Sequence, residues 1–223
     1  MIVKDTLGEY LKLMEERPEL FLPSDVIEIV KDRAALAEYS ESCGVTLGVL
    51  YRSKYNILVV DLVESRGTRF PYERIIPAAD GRGVVCIPVY SGKLVLLRQY
   101  RHATRSEQIC FPRGFGEVGL PSFENAKKEL SEELGATCRE LLKIGELTPD
   151  SGLSSCICDV YLCSIESLES TYEEGITEYL LISPEDLKIM IEGGDIVDAF
   201  TLSALQILDS VGIDIRSFDS PMG

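Results

Sequence analysis

Residues 112–136 read PRGFGEVGLPSFENAKKELSEELGA, and the predicted fold depends on how this stretch is interpreted. Its glycines at 114, 116 and 119 form the pattern G-x-G-x-x-G, which is found in dinucleotide-binding turns. Its glutamates at 129, 132 and 133 form a carboxylate cluster on a predicted helix. The two features indicate different chemistry, because the glycines would let the backbone approach a phosphate, whereas the glutamates would hold a cation.

The sequence around the glycines favours a loop over a dinucleotide-binding turn. Such a turn needs a strand that leads directly into the glycines and a helix that starts on them. Here Pro121 and Ser122 delay the helix start until after Gly119. The strand patterns that follow are typical of neighbours in a mixed sheet and do not form a βαβ series.

The helix after the loop carries an apolar stripe with two glutamates at its edge. The stripe consists of Phe123, Ala126, Leu130 and Leu134, and Gly135 is expected to end the helix. Glu129 and Glu133 share a face, where two like charges repel each other unless a cation lies between them. Oxygen ligands of this kind suit Mg²⁺ or Mn²⁺. A solvent-exposed salt ladder is expected from Glu124, Lys128 and Glu132.

Segment 114–136 resembles the Nudix box, G-x5-E-x7-R-E-U-x-E-E-x-G-U, in which U is a bulky apolar residue. Gly114 is the opening glycine, and ELSEELGA at 129–136 matches the closing part of the box. Two positions depart from the pattern, since Leu120 replaces the loop glutamate and Lys128 replaces the arginine. In the family these two residues tend to pair. Because both partners have changed, no buried charge is left unpaired in the loop.

Three further segments resemble the ADP-ribose pyrophosphatase branch of this family. They are RQYR at 98–101, the proline and glycine at 112 and 114, and GDIVDAFT at 194–201. The branch often has E-L-P-A-G before the box. This chain has CFPRG, so Cys110 replaces the glutamate and Arg113 replaces the alanine. The chain also has no Trp that could stack on adenine.

The resemblance implies an α+β chain with the Nudix fold, an α/β/α sandwich around a mixed sheet. It also implies that Glu129 and Glu133 bind Mg²⁺ (or Mn²⁺), with Glu132 and the carbonyl oxygen of Arg113 as additional ligands. The ion would bridge and polarise a substrate diphosphate, and a water would attack one phosphorus. Glu132 is therefore expected to act in metal binding or in catalysis.

A later loop usually carries the base, or one more metal ligand, in this branch. The corresponding segment is ESTYEEGITEY at 169–179. Glu174 matches the family's loop best, and Glu173 is the second candidate.

Positive charge is concentrated in one part of this acidic chain. Between residues 93 and 113 there is one acidic residue, Glu107, and there are five basic residues. Arginine binds phosphate through two parallel hydrogen bonds, so we expect this segment to contact the substrate. The candidate substrate-binding residues are Arg98, Arg101, Arg105 and Arg113.

Composition excludes several classes of partner. The 223 residues are 45% hydrophobic and carry a net charge of −15, which would repel nucleic acid and anionic membranes. The sequence shows no signal peptide and no run of 18 apolar residues. The seven scattered cysteines are typical of buried, reduced thiols, so we expect a cytoplasmic protein.

The chain is expected to have two parts, an N-terminal extension at 1–80 and a Nudix catalytic domain at 81–223. The extension should contain helices followed by antiparallel strands at 45–52, 55–63 and 69–76. Exposed strands of this kind invite association, and the branch pairs such N-terminal sheets. We therefore expect a homodimer.

Two functions follow from these expectations. The first is Mg²⁺-dependent hydrolysis of the diphosphate bond in a nucleoside diphosphate linked to another moiety, of the ADP-ribose or nucleotide-sugar type. The second is a non-catalytic Nudix-fold sensor that binds a nucleotide sugar. A sensor would be expected to lose the box carboxylates. The chain keeps Glu129, Glu132 and Glu133, which favours the enzyme.

Overall fold

The computed structural model describes residues 2–169 and 174–220, which form helices and two sheets. The helices are α1 (Thr6–Glu16), α2 (Arg33–Cys43), α3 (Ser122–Leu134), α4 (Pro184–Gly193), α5 (Ala199–Val211) and α6 (Ile215–Phe218), with a 3-10 turn at Pro18–Phe21. The strands are β1 (Glu28–Ile29), β2 (Gly48–Arg52), β3 (Asn56–Ser65), β4 (Thr68–Pro77), β5 (Gly83–Tyr90), β6 (Lys93–Arg101), β7 (Ser106–Cys110), β8 (Arg113–Gly114), β9 (Cys138–Leu147), β10 (Cys158–Ile165) and β11 (Ile176–Ile182). The α+β class predicted from the sequence is confirmed.

The chain divides into two compact units. The first contains the residues up to Ala79 together with Asp150–Cys156, and the second contains Asp80–Pro149 and the residues from Ile157 onward. Segment 150–156 lies in the first unit because its backbone pairs with β4. The N–H of Ile75 donates to the carbonyl of Leu153 at 2.7 Å, and Ser155 donates back to Ile75 at 3.1 Å.

The first unit is an antiparallel sheet with helices packed on it. Strands β1, β2 and β4 all pair with β3, and β4 does so along the whole length of β3. Arg66 and Gly67 make the β3–β4 turn with φ angles of 51° and 76°, as a tight hairpin turn requires. The strands predicted at 45–76 are therefore confirmed, with the first starting at Gly48 rather than at residue 45.

A buried ion pair lies in the core of the first unit. Asp61 is 2% exposed and accepts hydrogen bonds from the hydroxyl of Tyr10 and, at 2.5 Å, from Nε of Arg74. The Arg74 guanidinium also lies over the ring of Phe21 and donates to the carbonyl of Leu20. Each buried polar group of this pair therefore has a partner, as burial demands.

The second unit is built on a mixed seven-stranded sheet. The strand order is β11-β6-β5-β10-β9, with β7 paired to β6 and β8 paired to β5. Only β5 and β10 pair in parallel among the strands that the structure describes. The β5–β6 turn has Ser91 and Gly92 at φ angles of 52° and 71°, which confirms the predicted hairpin.

Helix α3 packs on the face of the sheet that carries Val84 and Cys86. Its residues Ala126, Leu130 and Leu134 are fully buried in this core, as the apolar stripe predicts, whereas Phe123, the first residue of the predicted stripe, is 46% exposed. The helix ends where Gly135 adopts φ 56°, so the predicted stop is confirmed. None of the helices within the described ranges is long and apolar enough to cross a membrane.

Candidate active site

The edge of the apolar stripe on α3 places two glutamates against strand β8. Glu133 is 5% exposed, and the side chain of Glu129 is 13% exposed. The backbone N–H of Arg113 in β8 donates to Oε2 of Glu133 at 3.1 Å. The residue after it, Gly114, pairs with Val84 and fixes β8 on the edge of β5.

Gly114 is needed because the helix approaches the strand closely. A Cβ atom built on this residue would lie 2.0 Å from Oε1 of Glu129, so a larger residue would displace this carboxylate. The opening glycine of the box therefore makes room for a carboxylate. Gly116, by contrast, packs against the backbone of Gly81, where a Cβ would lie 1.9 Å from the carbonyl oxygen. Both glycines shape the loop, as the sequence predicts.

Burial and mutual repulsion disfavour the charged forms of both glutamates. Burial, followed by the charge of the nearby Glu129 carboxylate, raises the pKa of Glu133 to about 8, although the N–H of Arg113 opposes both effects. Burial also raises the pKa of Glu129 to about 7, against the opposing charge of Lys128. A divalent cation between the two carboxylates would supply the missing positive charge.

Glu174 belongs to the same group of carboxylates. Its charge contributes to the raised pKa of Glu129 and of Glu133, so the structure brings it near both. Its backbone has φ 49°, and its carbonyl accepts a hydrogen bond at 3.0 Å from Nε2 of Gln99, which is 2% exposed. The second candidate of this loop, Glu173, lies outside the described residues.

Glu132 lies on the solvent side of the helix. Its side chain is 50% exposed and accepts a hydrogen bond from Nζ of Lys128 at 2.7 Å. Its charge still raises the pKa of Glu129. Glu132 therefore acts on Glu129 through its charge, while its own carboxylate is paired with Lys128.

The donor set fits a metal ion that keeps part of its coordination for water and substrate. In residues 2–169 and 174–220, no three His, Cys, Asp or Glu side chains form a ready metal-binding group. Mg²⁺ is commonly bound by one or two carboxylates, with waters and substrate phosphates as its other ligands. Two converging glutamates with raised pKa values match that requirement.

Three of the four candidate arginines already have partners in the structure. Arg98 pairs with Glu178, and Nη1 of Arg113 donates to Oδ1 of Asp198 at 2.6 Å. Arg105 contacts Nδ1 of His102 at 3.0 Å. Each of these guanidinium groups therefore already uses one N–H donor on a protein partner and keeps its other donors for a substrate phosphate.

Arg101 differs from the other three. Its Nη2 donates to Sγ of Cys110 at 3.2 Å, a weak acceptor. Its Nε is buried and has no hydrogen-bond partner in the part of the chain that the structure describes. Its charge lowers the pKa of Glu133, so it faces the buried carboxylates. Of the predicted arginines, Arg101 is best placed to bind an anion at this site.

The lysine of the degenerate box bridges the helix to the loop by a route that the sequence did not indicate. Nζ of Lys128 lies 3.1 Å from Oε1 of Glu117, as well as close to Glu132. The expected contact of Lys128 with Glu124 is wrong, because Glu124 pairs at 3.5 Å with Lys127. Leu120 is partly buried, and its N–H faces the carbonyl of Glu117 at 3.4 Å.

Sequence reasoning missed three buried polar residues that hold the site. Asn125 is fully buried in α3 and donates to the carbonyl of Phe115 at 2.8 Å, which fixes the glycine loop. Asp198 and Thr201 lie at the start of α5. A signal was present, because D-x-x-T at 198–201 is a helix N-cap pattern in which the side chain binds the backbone three residues on.

Comparisons with known proteins agree with this geometry. The NUDIX domain profile matches residues 80–200. The chain is 32% identical over 94 residues to "ADP compounds hydrolase NudE" of Escherichia coli (strain K12). The aligned residues make up 42% of this chain and 50% of that protein. It is also 28% identical over 121 residues to "ADP-ribose pyrophosphatase" of Bacillus subtilis (strain 168). The aligned residues make up 52% of this chain and 65% of that protein. The matches thus span between half and two thirds of these relatives.

A solved structure shares the fold. A crystal structure of an ADP compounds hydrolase superposes with a TM-score of 0.63 at 23% sequence identity, and covers 75% of this chain and 91% of that chain.

Proposed function

The chain belongs to the Nudix family, and from this we propose that it hydrolyses the diphosphate bond of a nucleoside diphosphate linked to a second moiety, of the ADP-ribose or nucleotide-sugar type. The observation that carries the proposal is the buried pair Glu129 and Glu133: Gly114 leaves room for the first carboxylate, and the N–H of Arg113 binds the second. The names of the two relatives support the class of substrate.

In this proposal Glu129 and Glu133 hold Mg²⁺ (or Mn²⁺), with support from Glu132 and from the carbonyl oxygen of Arg113. Such an ion, when bound, neutralises phosphate charge and polarises the bond to be broken. The two buried carboxylates are acceptor-only groups once ionised, so they orient towards a cation rather than towards the substrate anion.

Residues of the chain would bind the substrate phosphate and accept the proton of the attacking water. The guanidinium of Arg101 donates to a substrate phosphate and satisfies its buried Nε. Glu174 accepts a proton from the attacking water, because its carboxylate is near the metal-binding pair and its backbone is anchored by Gln99. Glu173 remains the alternative base.

Two departures from the branch bear on the substrate. Cys110 stands where a glutamate is common, and the chain contains no Trp. The thiol of Cys110 is a weak, uncharged acceptor for Arg101, so the guanidinium has no carboxylate from this position and keeps donors for a substrate phosphate. We therefore propose the general class of nucleoside diphosphate derivatives as the substrate.

A substrate panel tests the proposal. ADP-ribose, other nucleotide sugars and dinucleotides are incubated with the protein, with Mg²⁺ or with EDTA, and the phosphate monoester products are measured. We expect products from at least one compound, only in the presence of metal. The variant with both Glu129→Gln and Glu133→Gln serves as the inactive control. Tight binding of a nucleotide sugar without turnover would favour the sensor instead.

We also propose that the protein is cytoplasmic and forms a homodimer through the antiparallel strands of the first unit. The outer edge of β4 supports this. Over Thr68–Arg74 it has no strand partner in the described part of the chain. Such an edge invites pairing, although Pro71 removes one backbone donor from it.

A further inference from the structure

The start of helix α5 contacts the residues on both sides of Pro112, through the backbone of Phe111 and the side chain of Arg113. On one side, Oγ1 of Thr201 accepts a hydrogen bond from the N–H of Phe111 at 2.9 Å. On the other side, Oδ1 of Asp198 accepts one from Nη1 of Arg113 at 2.6 Å. The guanidinium of Arg113 also lies over the ring of Phe200, 4.1 Å from its centroid. The N-cap residue and two first-turn residues of this helix therefore contact Phe111 and Arg113, the two residues that flank Pro112.

The contacts of Asp198 and Thr201 are joined into one network. Oδ2 of Asp198 accepts hydrogen bonds from the N–H and the hydroxyl of Thr201, at 3.0 and 2.8 Å. Asp198 is 6% exposed and Thr201 is fully buried. Removal of one member would leave a buried polar group without its partner, so the network fixes one geometry.

The segment held in this way is the one that binds the carboxylate pair. The N–H of Arg113 donates to Oε2 of Glu133, and the carbonyl of Pro112 accepts from the N–H of Cys86 at 2.9 Å. Strand β5 thus fixes the segment from one side, and α5 fixes it from the other. A shift of the segment away from α5 would move the Arg113 amide and the carboxylate bound to it.

We propose that Asp198 and Thr201 are positioning residues that set the place of Glu133 for metal binding, through the backbone of Phe111–Arg113. They touch neither the carboxylate nor the substrate. This inference rests on the proposed function, because it takes Glu133 to be a metal ligand. It also accounts for D-x-x-T at 198–201, because the aspartate holds Arg113 while the threonine holds Phe111.

The test compares Thr201→Val with Thr201→Ser. Valine keeps the shape but lacks the hydroxyl, whereas serine keeps the hydroxyl. Titration calorimetry with Mn²⁺ alone measures the dissociation constant without any substrate. We expect Thr201→Val to weaken Mn²⁺ binding by roughly 10- to 100-fold, the usual effect of losing an outer-shell partner, and Thr201→Ser to stay near the wild type.

A second variant separates positioning from stability. Leu208→Ala lies in the same helix, is buried, and touches none of the network. It should lower the melting temperature at least as much as Thr201→Val while leaving the Mn²⁺ dissociation constant unchanged. If both variants weaken Mn²⁺ binding in proportion to their loss of stability, the role is only structural and the inference is wrong.

Hydrogen exchange supplies a readout that needs no metal. In Thr201→Val the amides of Phe111 and Arg113 should exchange faster than in the wild type, and in Leu208→Ala they should not. Unchanged exchange at Arg113 with unchanged Mn²⁺ affinity would overturn the inference while leaving the hydrolase proposal intact. A wild-type protein that binds no Mn²⁺ and releases no product would instead overturn the proposed function, and this inference with it.

Discussion

Glu133 shows how a single residue prepares this site for a cation. Its carboxylate lies in the core edge of α3 and is 5% exposed, yet it accepts a backbone hydrogen bond that favours its charged form. The effect of burial on the pKa is larger than that of the hydrogen bond, because the pKa of Glu133 rises to about 8. A metal ion would reverse that balance, because coordination requires the deprotonated carboxylate.

The first prediction at this scale concerns catalysis. Glu133→Gln should lower kcat by at least about a hundredfold with little change in melting temperature, because glutamine has the shape of the protonated acid. Glu124→Gln on the exposed face of the same helix is the matched control and should keep normal turnover. Near-normal kcat in Glu133→Gln would show that this carboxylate does not bind the catalytic ion.

The second prediction concerns pH in the absence of metal. The folded state holds the Glu133 proton up to about pH 8, whereas an ordinary glutamate loses it near 4.5. Between these values the folded state binds more protons than the unfolded state, so the free energy of unfolding falls as pH rises. Urea unfolding in EDTA from pH 5 to pH 8 should show this fall, with a flatter curve for Glu133→Gln. Parallel curves for the two proteins would contradict the raised pKa.

The third prediction distinguishes the arginines. Arg101→Lys should raise KM several-fold, because lysine cannot reproduce the two parallel hydrogen bonds of a guanidinium to phosphate. Arg98→Lys should change KM less, since Arg98 is occupied by Glu178. Steady-state kinetics with the best substrate of the panel gives the KM of both variants for comparison. A larger effect at Arg98 would mean that its ion pair opens when substrate binds.

At the scale of elements, two side-chain contacts join the glycine loop to α3. Asn125 ties the helix to the carbonyl of Phe115, and Lys128 reaches back to Glu117. The lysine bridge is exposed and worth about 0.2–1 kcal/mol, whereas the buried amide contributes a shielded hydrogen bond of about 1 kcal/mol. Asn125 therefore matters more to the shape of the loop than the ion pair does.

The fourth prediction concerns the two departures from the box. Leu120→Glu should destabilise the protein by about 1–3 kcal/mol, because it places a charge at a partly buried apolar position. The double variant with Lys128→Arg should be less destabilised than the sum of the single changes. Urea unfolding should give a coupling energy above about 0.5 kcal/mol. Additive effects would mean that the two positions do not meet in this protein.

Short-range patterns account for what the sequence could predict about these elements. The stripe from Ala126 to Leu134 and the stop at Gly135 depend on residues within one helix, so α3 was predicted correctly. The partners of Arg98 and Arg113 lie 80 and 85 residues further along the chain. No local pattern reveals such contacts, and all four arginines therefore looked equally available. The pattern at 198–201 was visible in the sequence, but the contacts of Asp198 with Arg113 and of Thr201 with Phe111 span 85 and 90 residues, so their role at the site was not predicted.

At the scale of the whole molecule, the net charge of −15 opposes the binding of a diphosphate. In the proposed site, Arg101 and a cation held by Glu129 and Glu133 would offset this repulsion locally. The first and second units each have their own core, so the proposed dimer contact and the proposed active site lie in different units.

The fifth prediction concerns assembly. Light scattering at micromolar concentration should give twice the mass of 24.7 kDa, as expected for a two-fold dimer. Because the first unit carries the proposed contact, substitutions in α5 should leave the dimer intact. A monomeric mass across the micromolar range would contradict the proposal.

The network at the start of α5 also bears on synthesis at the ribosome. Arg113 and Asp198 are 85 residues apart, so the segment that holds Glu133 is translated well before its anchor. At about 5–20 residues per second the delay is roughly 4–17 s. During that interval the nascent chain can already contain α3 and both glutamates, but not the contacts that place them. Metal captured by the growing chain would therefore meet an unfinished site, and selective binding would begin only after α5 has emerged.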